Sequence, residues 1–239
     1  MTRPALQDEG ESLGLDLTPG ALHYRAYVGW PQNYDLVAAA TFNVLTTIGL
    51  RQHHALLDVG CGSLRVGRVL IPYLNAGKYV GVEPNRWLVD EGIKHEVGDD
   101  LVRIKRPTFL FSDSPSVLAD VSGVDFALAQ GVFSHCGVDL VESWMASISR
   151  ALSANGVLVA TFRRGDEDFA GSGWSYPEAV YHTPATMERI ASAAGLTFQP
   201  FDWQDAVRTW AVFAKPGFDA SWFAGKPLTW NAKIDSGRL

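Results

Sequence analysis

A short apolar run followed by two closely spaced glycines constrains the fold of this 239-residue chain more than any other feature. Ala55 to Val59 reads as a buried parallel strand, and Gly60 and Gly62 follow it directly. Glycine lets the backbone turn tightly and approach a ligand closely. A helix beginning near Leu64 would point its free N–H groups at the same space. The stretch therefore predicts a ligand pocket at the carboxyl end of a strand in an α/β sheet.

An acidic residue ends the next predicted strand. Lys78 to Val82 reads as a second buried strand, and Glu83 follows it. A carboxylate at this position can accept hydrogen bonds from both ribose hydroxyls of an adenosine ligand. The glycine spacing differs from the dinucleotide pattern, because Arg65 holds the place of its third glycine. Asp58, before the glycines, would repel a phosphate and attract an amino group or a sulfonium.

Three segments of the chain resemble the class I S-adenosylmethionine-dependent methyltransferases of the bacterial small-molecule type. They are Asp58-Val59-Gly60-Cys61-Gly62, Glu83, and the run from Val124 to Gln130. The resemblance extends over residues 50 to 215 and departs from the family pattern at Leu64, where the motif has a third alternating glycine. It implies S-adenosylmethionine as cofactor and a Rossmann-like α/β fold. The expected sheet has seven strands, mostly parallel with one antiparallel edge strand, and helices on both faces.

The resemblance also implies how the strand ends share the cofactor. Glu83 takes the ribose, Asp113 lies near the adenine amino group with Ser112 and Ser114 as alternatives, and Gln130 faces the methionine end. Arg65 either reaches a carboxylate of the cofactor or of Glu83, or faces solvent. The predicted cofactor-binding set contains no metal ligand and consists of Asp58, Gly60, Cys61, Gly62, Arg65, Glu83, Pro84, Asn85, Asp113, Ser114, Gln130 and Gly131.

His135 is the candidate catalytic residue, because it lies beyond the fourth strand, where an acceptor would enter. A histidine near its ordinary pKa accepts a proton at neutral pH. The alternative interpretation is a histidine that supports its loop through a hydrogen bond. Tyr181 and His182 are rival bases, and the acidic run from Asp166 to Asp168 is either a solvated loop face or a site for a cationic acceptor.

Composition narrows the class of partner. The net charge of −6 and the sequence pI near 5.5 argue against broad binding to a phosphate backbone. The Asn/Asp-Pro-Pro-aromatic run typical of nucleic-acid amino methyltransferases is absent after the fourth strand. No apolar run is long enough to span a membrane, and two cysteines suit a reducing compartment. We therefore expect a cytoplasmic protein with a small-molecule substrate that binds neither nucleic acid nor membrane.

Local signals divide the chain into three parts. Residues 1–32 are an N-terminal arm or lid with a dense aromatic segment, residues 33–215 are the methyltransferase domain, and residues 216–239 are an aromatic tail that packs on the domain or on a partner subunit. Packing on a partner subunit would make the protein a homo-oligomer joined through this tail. Asn155-Gly156 predicts a turn before the fifth strand, and the loop from Arg163 to His182 exceeds the usual connection length, as functional loops often do.

Further local signals predict elements along the chain. A helix is expected from about Arg86 to Val97, and another begins at the Thr183-Pro184 cap. The last two strands are expected from Thr197 to Phe201 and from Thr209 to Ala214. Their short connection predicts an antiparallel hairpin at the sheet edge.

The sequence predicts a methyltransferase of the EC 2.1.1 type that acts on a small molecule or saccharide. Three alternatives stay open at this point. A nicotinamide-dependent oxidoreductase would use the same sheet with a different phosphate loop. A second alternative binds S-adenosylmethionine for non-methyl chemistry, and a third is a non-catalytic interaction module.

Overall fold

A computed structural model describes residues 13–203 and 207–222 as a single sheet with helices on both faces. The strands are β1 (Leu56–Val59), β2 (Tyr79–Val82), β3 (Thr108–Leu110), β4 (Val124–Ala129), β5 (Leu152–Phe162), β6 (Thr197–Phe201) and β7 (Thr209–Ala214). The helices are α1 (Tyr24–Tyr27), α2 (Tyr34–Ile48), α3 (Gly67–Tyr73), α4 (Arg86–Gly92), α5 (Asp99–Lys105), α6 (Val138–Ala151) and α7 (Pro184–Ala193).

The sheet has the order β3-β2-β1-β4-β5-β7-β6, and its first five strands are parallel. β7 runs antiparallel to both β5 and β6, so the predicted antiparallel hairpin at the sheet edge is confirmed, with β7 second from the edge. The strand order reverses between β1 and β4. Open α/β sheets bind ligands in the crevice at such a switch point, outside the carboxyl ends of the strands.

Two hydrophobic cores flank the sheet, because successive side chains of a strand point to opposite faces. Leu57 and Ala127 pack into a core with α6 and α7, whereas Leu56 and Phe126 pack into a core with α2 and α3. Trp144 of α6 is the largest fully buried side chain. Helices therefore cover both faces of the central strands. A ligand can reach these strands only at their ends.

Several predicted boundaries are wrong for identifiable reasons. α3 begins at Gly67 and not near Leu64, because Leu64 has a φ of 59° and cannot belong to a right-handed helix. Asn155-Gly156 lies inside β5, which begins at Leu152 and shifts register against β4. The helix predicted from Arg86 to Val97 is α4 continued by a π-helix, Ile93–Val97.

Leu64 stands where the family motif has a glycine, and it takes the left-handed backbone conformation that favours glycine, with its side chain fully buried. We expect Leu64→Gly to lower the free energy of unfolding by about 1–4 kcal/mol. The lost leucine costs about 2–5 kcal/mol, and relief of the left-handed strain returns about 1 kcal/mol. Denaturant titration measures the difference.

Arg106 is the matched control for this substitution, because it has a φ of 51° and an exposed side chain. Arg106→Gly should leave stability unchanged or raise it by up to about 1 kcal/mol. If Leu64→Gly is as stable as the unsubstituted chain, burial of Leu64 does not compensate its backbone strain.

The chain ends are described in part. Phe218 contacts the α2–α3 core and lies 6.4 Å from the Phe126 ring, so the described start of the tail packs on the domain. The predicted oligomerisation through the tail falls largely on residues 223–239, which lie outside the described residues. Among residues 13–203 and 207–222, no helix is long and apolar enough to cross a membrane.

Candidate cofactor and acceptor site

Glu83 joins the loop after β1 to the loop after β2. Its Oε2 accepts a hydrogen bond from the Gly62 N–H at 3.1 Å, and its Oε1 accepts from the Asn85 N–H and Nδ2 at 2.9 and 3.0 Å. The side chain is 6 % exposed, and this burial raises the pKa of Glu83 while the three donors oppose the shift. A carboxylate offers about four lone-pair sites, so acceptor capacity is left on Oε2.

The glycine loop leaves little room above the β1 end. Gly60 and Gly62 have φ values of 71° and 55°. The Gly60 N–H donates to the Val82 carbonyl at 2.8 Å, and the Gly62 N–H donates to Glu83. A Cβ on Gly60 would lie 2.6 Å from Val132, and one on Gly62 would lie 2.7 Å from Val28. Glycine is therefore required here by space as well as by backbone conformation.

Asp58 lies at the base of the cleft with its carboxylate buried. The Tyr79 hydroxyl donates to Asp58 Oδ2 at 2.7 Å, which the sequence alone did not indicate. Burial raises the pKa of Asp58 to about 7, and the Tyr79 hydrogen bond and Arg65 charge oppose the shift. Burial also raises the pKa of the neighbouring Cys61 thiol, so it is held as an uncharged small side chain.

The raised pKa of Asp58 predicts a pH-dependent stability. Because the folded protein holds this proton more tightly than the unfolded chain, the group stabilises the fold below about pH 4, and this stabilisation is lost as the pH rises to about 7. We expect up to about 4 kcal/mol from this group across that window. Asp58→Asn keeps an acceptor for Tyr79 and should abolish that decline. Parallel pH profiles of the two unfolding free energies would contradict the assignment.

Val28 and Arg65 close the cleft from the N-terminal side. Arg65 Nη1 donates to the Val28 carbonyl at 2.9 Å, and Nη2 donates to Gln130 Oε1 at 2.7 Å. Arg65 is therefore neither solvent-facing nor bound to Glu83, and it lies in a turn before α3. The free volume of the cleft is about 20 Å³, enough for about one water molecule. Its lining residues are Val28, Asp58, Gly60, Cys61, Gly62, Arg65, Val66 and Gln130.

A buried ion pair holds the arm that carries Val28. Arg25 of α1 donates to Glu96 Oε1 through Nε at 2.9 Å and Nη2 at 2.5 Å. The Tyr24 hydroxyl donates to the same oxygen at 3.0 Å, and the Tyr24 ring stacks on His95 with centroids 5.2 Å apart. Glu96 and His95 both belong to the π-helix after α4, so that irregular helix is the docking point of the arm.

The β4 end supplies the opposite wall. Gln130 is buried, and the Gly131 N–H donates to Thr161 Oγ1 at 2.8 Å, which ties the ends of β4 and β5 together. His135 follows in a short 3₁₀ turn, half-buried, with its Nδ1 2.7 Å from the Glu178 carbonyl oxygen. A carbonyl oxygen only accepts, so Nδ1 is the donor and Nε2 is left as an acceptor in the neutral ring.

Tyr176 connects the long loop to both His135 and the arm. Its ring lies edge-on to His135 with centroids 5.2 Å apart, and its hydroxyl donates to the Tyr27 carbonyl. Tyr27 in turn lies 5.3 Å from the ring of Trp87. The arm, α4 and the long loop therefore meet above the cleft in an aromatic rim. The density of aromatic residues in the arm was its signal in the sequence.

The rival catalytic candidates lie in other surroundings. His182 is fully buried, with Nε2 3.2 and 3.0 Å from the carbonyl oxygens of Phe133 and Cys136, which is a structural position. Tyr181 is 47 % exposed. Asp168 accepts from the N–H of Thr183, the N-cap of α7, at 2.7 Å, so one of the three loop acids anchors the loop to the start of that helix.

The residues predicted for the adenine lie at the β3 end. Asp113 is exposed, and its carbonyl accepts from Trp174 Nε1 at 3.3 Å. Ser114 accepts from the Ser116 N–H and so caps a short 3₁₀ helix. Pro84 is exposed beside Glu83. The structure thus brings Asp58, Glu83, Gln130 and the glycine loop around one cleft, while Asp113 and Ser114 lie farther along the same sheet edge.

Comparisons with family models and solved structures match this chain to methyltransferases. Residues 57–158 match the family model described as a methyltransferase domain. The magnesium protoporphyrin IX methyltransferase of Synechocystis PCC 6803, solved with bound SAH, is 14 % identical, covers 77 % of this chain and 84 % of its own, and has a TM-score of 0.58. The PH0226 protein of Pyrococcus horikoshii OT3 is 12 % identical, with 86 % and 100 % coverage and a TM-score of 0.62.

A third solved structure also aligns with most of the chain. It is a TehB-like SAM-dependent methyltransferase from Corynebacterium glutamicum ATCC 13032, 21 % identical, covering 77 % of this chain and 99 % of its own with a TM-score of 0.50. The sheet order and the cleft at its switch point give the chain the Rossmann-like fold that these solved structures share. Residues 57–158 thus match a methyltransferase domain model, and the solved neighbours that share the fold include S-adenosylmethionine-dependent methyltransferases. The resemblance in the strand-end motifs is confirmed, and so is the cofactor of the class.

Proposed function

We propose that this protein transfers a methyl group from S-adenosylmethionine to a small-molecule or saccharide acceptor, a reaction of the EC 2.1.1 type. The observation that carries the proposal is the link between Glu83 and Gly62 across the ends of β2 and β1. It places a buried carboxylate beside a glycine loop, with Asp58 at the base of the same cleft. Two acidic side chains suit a cationic adenosyl ligand and not a pyrophosphate.

The residues around the cleft fit this cofactor chemically. Glu83 has acceptor capacity left for a ribose hydroxyl, and the Asn85 side-chain amide is the donor that a second hydroxyl would replace. Asp58 supplies negative charge to the amino or sulfonium group, and Gln130 supplies an amide at the methionine end. Backbone of Gly60, Cys61, Gly62 and Gly131 borders the ligand, and Pro84, Asp113 and Ser114 border the adenine.

The narrow space between Val28, Arg65 and the glycine loop supports a movement of the arm when the cofactor binds. A free volume of about 20 Å³ does not hold an adenosyl group, and Val28 and Arg65 form the wall in the way. We therefore propose that residues 13–32 act as the cover of the site. They open to admit the cofactor, and Arg65 leaves Gln130 so that it can bind the ligand carboxylate. The aromatic rim of the arm and the long loop then excludes water from the reaction.

His135 is proposed as the general base for an acceptor that must lose a proton. Burial lowers the pKa of His135, and this keeps the ring neutral at pH 7. The Glu178 carbonyl holds the tautomer in which Nε2 accepts. The bound S-adenosylmethionine supplies the electrophilic methyl carbon, while the cleft orients the two reactants for in-line attack.

The net charge of the chain and the name of one structural neighbour support a small-molecule acceptor. The net charge of −6 disfavours a nucleic-acid backbone. One structural neighbour is named for magnesium protoporphyrin IX, a small molecule. Both cysteines are free thiols, which suits the cytoplasmic location expected for a metabolic enzyme.

Incubation with methyl-labelled S-adenosylmethionine and pooled small-molecule extracts tests the proposed activity. We expect S-adenosylhomocysteine to form and the label to appear in a small acceptor. Tight binding of a nicotinamide cofactor without S-adenosylhomocysteine binding, measured by calorimetry, would contradict it. Consumption of S-adenosylmethionine with no methyl label transferred would favour non-methyl chemistry.

A further inference from the structure

Main-chain hydrogen bonds hold the long loop against the turn that carries His135. The Ser175 N–H donates to the His135 carbonyl at 2.9 Å, and the Val180 N–H donates to the Ser134 carbonyl at 2.8 Å. Trp174 forms a β-bridge with the residue that follows His135. The position of this loop segment beside the candidate base therefore does not depend on the arm.

Two large rings of this segment are exposed. Trp174 is 42 % exposed and Tyr176 is 39 % exposed, although the backbone between them is bound to His135. The Tyr176 ring lies edge-on to the His135 ring, with centroids 5.2 Å apart. Large exposed apolar side chains beside a cleft are typical of a ligand-binding surface. We call the rings of Trp174 and Tyr176 the aromatic platform.

The platform lies between the candidate base and the cofactor cleft. Tyr176 contacts His135 on one side, and its ring centroid lies 5.3 Å from that of Tyr27 on the other. Tyr27 precedes Val28, which lines the cleft. A methyl acceptor has to lie between the base and the cofactor. The acceptor would therefore contact the Tyr176 ring.

The polar donors of both rings are already used. Trp174 Nε1 donates to the Asp113 carbonyl at 3.3 Å, and the Tyr176 hydroxyl donates to the Tyr27 carbonyl. The platform therefore presents apolar ring surface and no free N–H or O–H donor. A saccharide carries many hydroxyls that need hydrogen-bond partners, whereas an aromatic ligand packs on other rings edge-on or offset. A flat aromatic ligand fits this surface better than a sugar.

The chemistry of His135 selects the group that is methylated. Its Nδ1 is bound to the Glu178 carbonyl, so Nε2 is the atom left to accept a proton. Burial lowers the pKa of His135, which makes the ring a weaker base. A phenolic hydroxyl has a pKa of about 10, and an aliphatic hydroxyl is about as weak an acid as water, with a pKa of about 16. The aliphatic oxyanion is thus rarer by about five orders of magnitude, and a weak base suits the phenol.

We propose that the acceptor is a flat aromatic compound with a phenolic hydroxyl, whose ring lies on Trp174 and Tyr176 and whose hydroxyl faces His135 Nε2. The inference rests on the proposed function and narrows its acceptor to one class. The phenolic O–H bond breaks as its proton passes to Nε2, and the oxygen forms a bond to the methyl carbon. The sulfur–methyl bond breaks with its electron pair left on sulfur. The products are a methyl aryl ether and S-adenosylhomocysteine, and the imidazolium then releases its proton to solvent.

Matched probes test the platform by ligand-observed NMR titration in the presence of saturating S-adenosylhomocysteine. The probes are naphthol, naphthalenemethanol, their saturated analogue decahydronaphthol, the cationic naphthalenemethylamine, and methyl glucoside. We expect naphthol and naphthalenemethanol to bind at least about fivefold more tightly than decahydronaphthol and methyl glucoside, because only flat rings form aromatic pairs with the platform.

Turnover separates the acidity of the hydroxyl from the binding of the ring. With methyl-labelled S-adenosylmethionine, we expect naphthol to be methylated at least about 100-fold faster than naphthalenemethanol, although both bind. Methylation of both alcohols at equal rates would remove the phenolic hydroxyl from the proposal.

Variants of the long loop assign the binding to the platform. Trp174→Leu and, independently, Tyr176→Leu should weaken naphthol binding about fivefold or more, whereas Tyr176→Phe keeps the ring and should stay within about twofold. Tyr181→Leu is the matched control. Tyr181 is 47 % exposed on the same loop, but its hydroxyl accepts from Arg163 Nη1 at 3.3 Å. Its loss should change naphthol affinity by less than about twofold.

The outcomes distinguish this inference from the proposed function. Each variant is first titrated with S-adenosylhomocysteine, and failure of the unsubstituted protein to bind it rejects the proposed function itself. With that binding intact, four results would each overturn the aromatic acceptor. They are naphthol binding no tighter than decahydronaphthol, tighter binding of methyl glucoside or of the cationic amine, naphthol affinity unchanged in both leucine variants of the platform, and naphthol left unlabelled.

Discussion

Glu83→Gln is expected to weaken the binding of S-adenosylhomocysteine by about 100-fold or more, measured by calorimetric titration. The substitution replaces a charged acceptor by an amide that has one acceptor oxygen. Hydrogen bonds to a charged group contribute about 1.5–3 kcal/mol each, so two ribose hydroxyls account for a loss of this size. The variant also weakens the tie between Gly62 and the β2 end, which adds to the effect.

Glu91→Gln is the matched control for this prediction. Glu91 is also 6 % exposed, but it lies on α4 and faces His95 at 3.2 Å and Lys94 at 3.9 Å. Its affinity for S-adenosylhomocysteine should remain within about threefold of the unsubstituted protein, because surrounding groups satisfy the carboxylate away from the cleft. Equal losses in both variants would indicate general destabilisation and would remove Glu83 from the ribose site.

His135→Asn is expected to lower kcat by about 100-fold with the acceptor identified by label transfer. Asparagine has an amide that can replace the Nδ1 donor to the Glu178 carbonyl, so the loop contact is kept while the Nε2 base is lost. The affinity for S-adenosylhomocysteine should change little. A kcat close to that of the unsubstituted protein would give His135 a purely structural role.

The pH profile gives a second readout of the same residue. Burial lowers the pKa of His135 below its ordinary value, so kcat/KM should fall with decreasing pH only below about pH 6.5. The acidic limb should disappear in His135→Asn. A limb that persists unchanged in the variant would assign the titration to another group, such as Asp58 with its pKa of about 7.

The parts of the fold that the sequence predicted are those set by local pattern. The bounds of β6 and β7 agree with the expectation, and α7 begins at the predicted Thr183-Pro184 cap. Buried apolar runs and cap residues determine structure over a few neighbouring positions. Strands and helix ends of this kind can therefore be predicted without knowing the tertiary contacts. The position of Glu83 beside Gly62 followed in the same way, because the ends of adjacent parallel strands meet at one edge.

The parts that were missed depend on contacts between distant segments. The Tyr79 hydroxyl on β2 donates to Asp58 on the neighbouring strand β1. Arg65 links the arm to Gln130 by donating to both Val28 and Gln130. Nothing near Arg65 in the sequence distinguishes this inward position from a solvent-facing one.

The docking of the arm on a π-helix was also beyond local pattern. A periodic run from Arg86 to Val97 predicts a helix but not where its hydrogen bonding widens. That widening places Glu96 and His95 against Arg25 and Tyr24. The arm was expected to be a lid or a surface segment. Its residues Val28 and Tyr27 contact Arg65, Tyr176 and Trp87 over the cleft, which supports the lid as a proposal.

A crystal structure of this protein with S-adenosylhomocysteine bound tests the central claim most directly. The account predicts the ribose hydroxyls within hydrogen-bonding distance of Glu83, the thioether sulfur between Asp58 and Gln130, and Val28 displaced from its position over Gly62. Ligand bound elsewhere, or bound in the cleft with Glu83 still making only its bonds to Gly62 and Asn85, would contradict it.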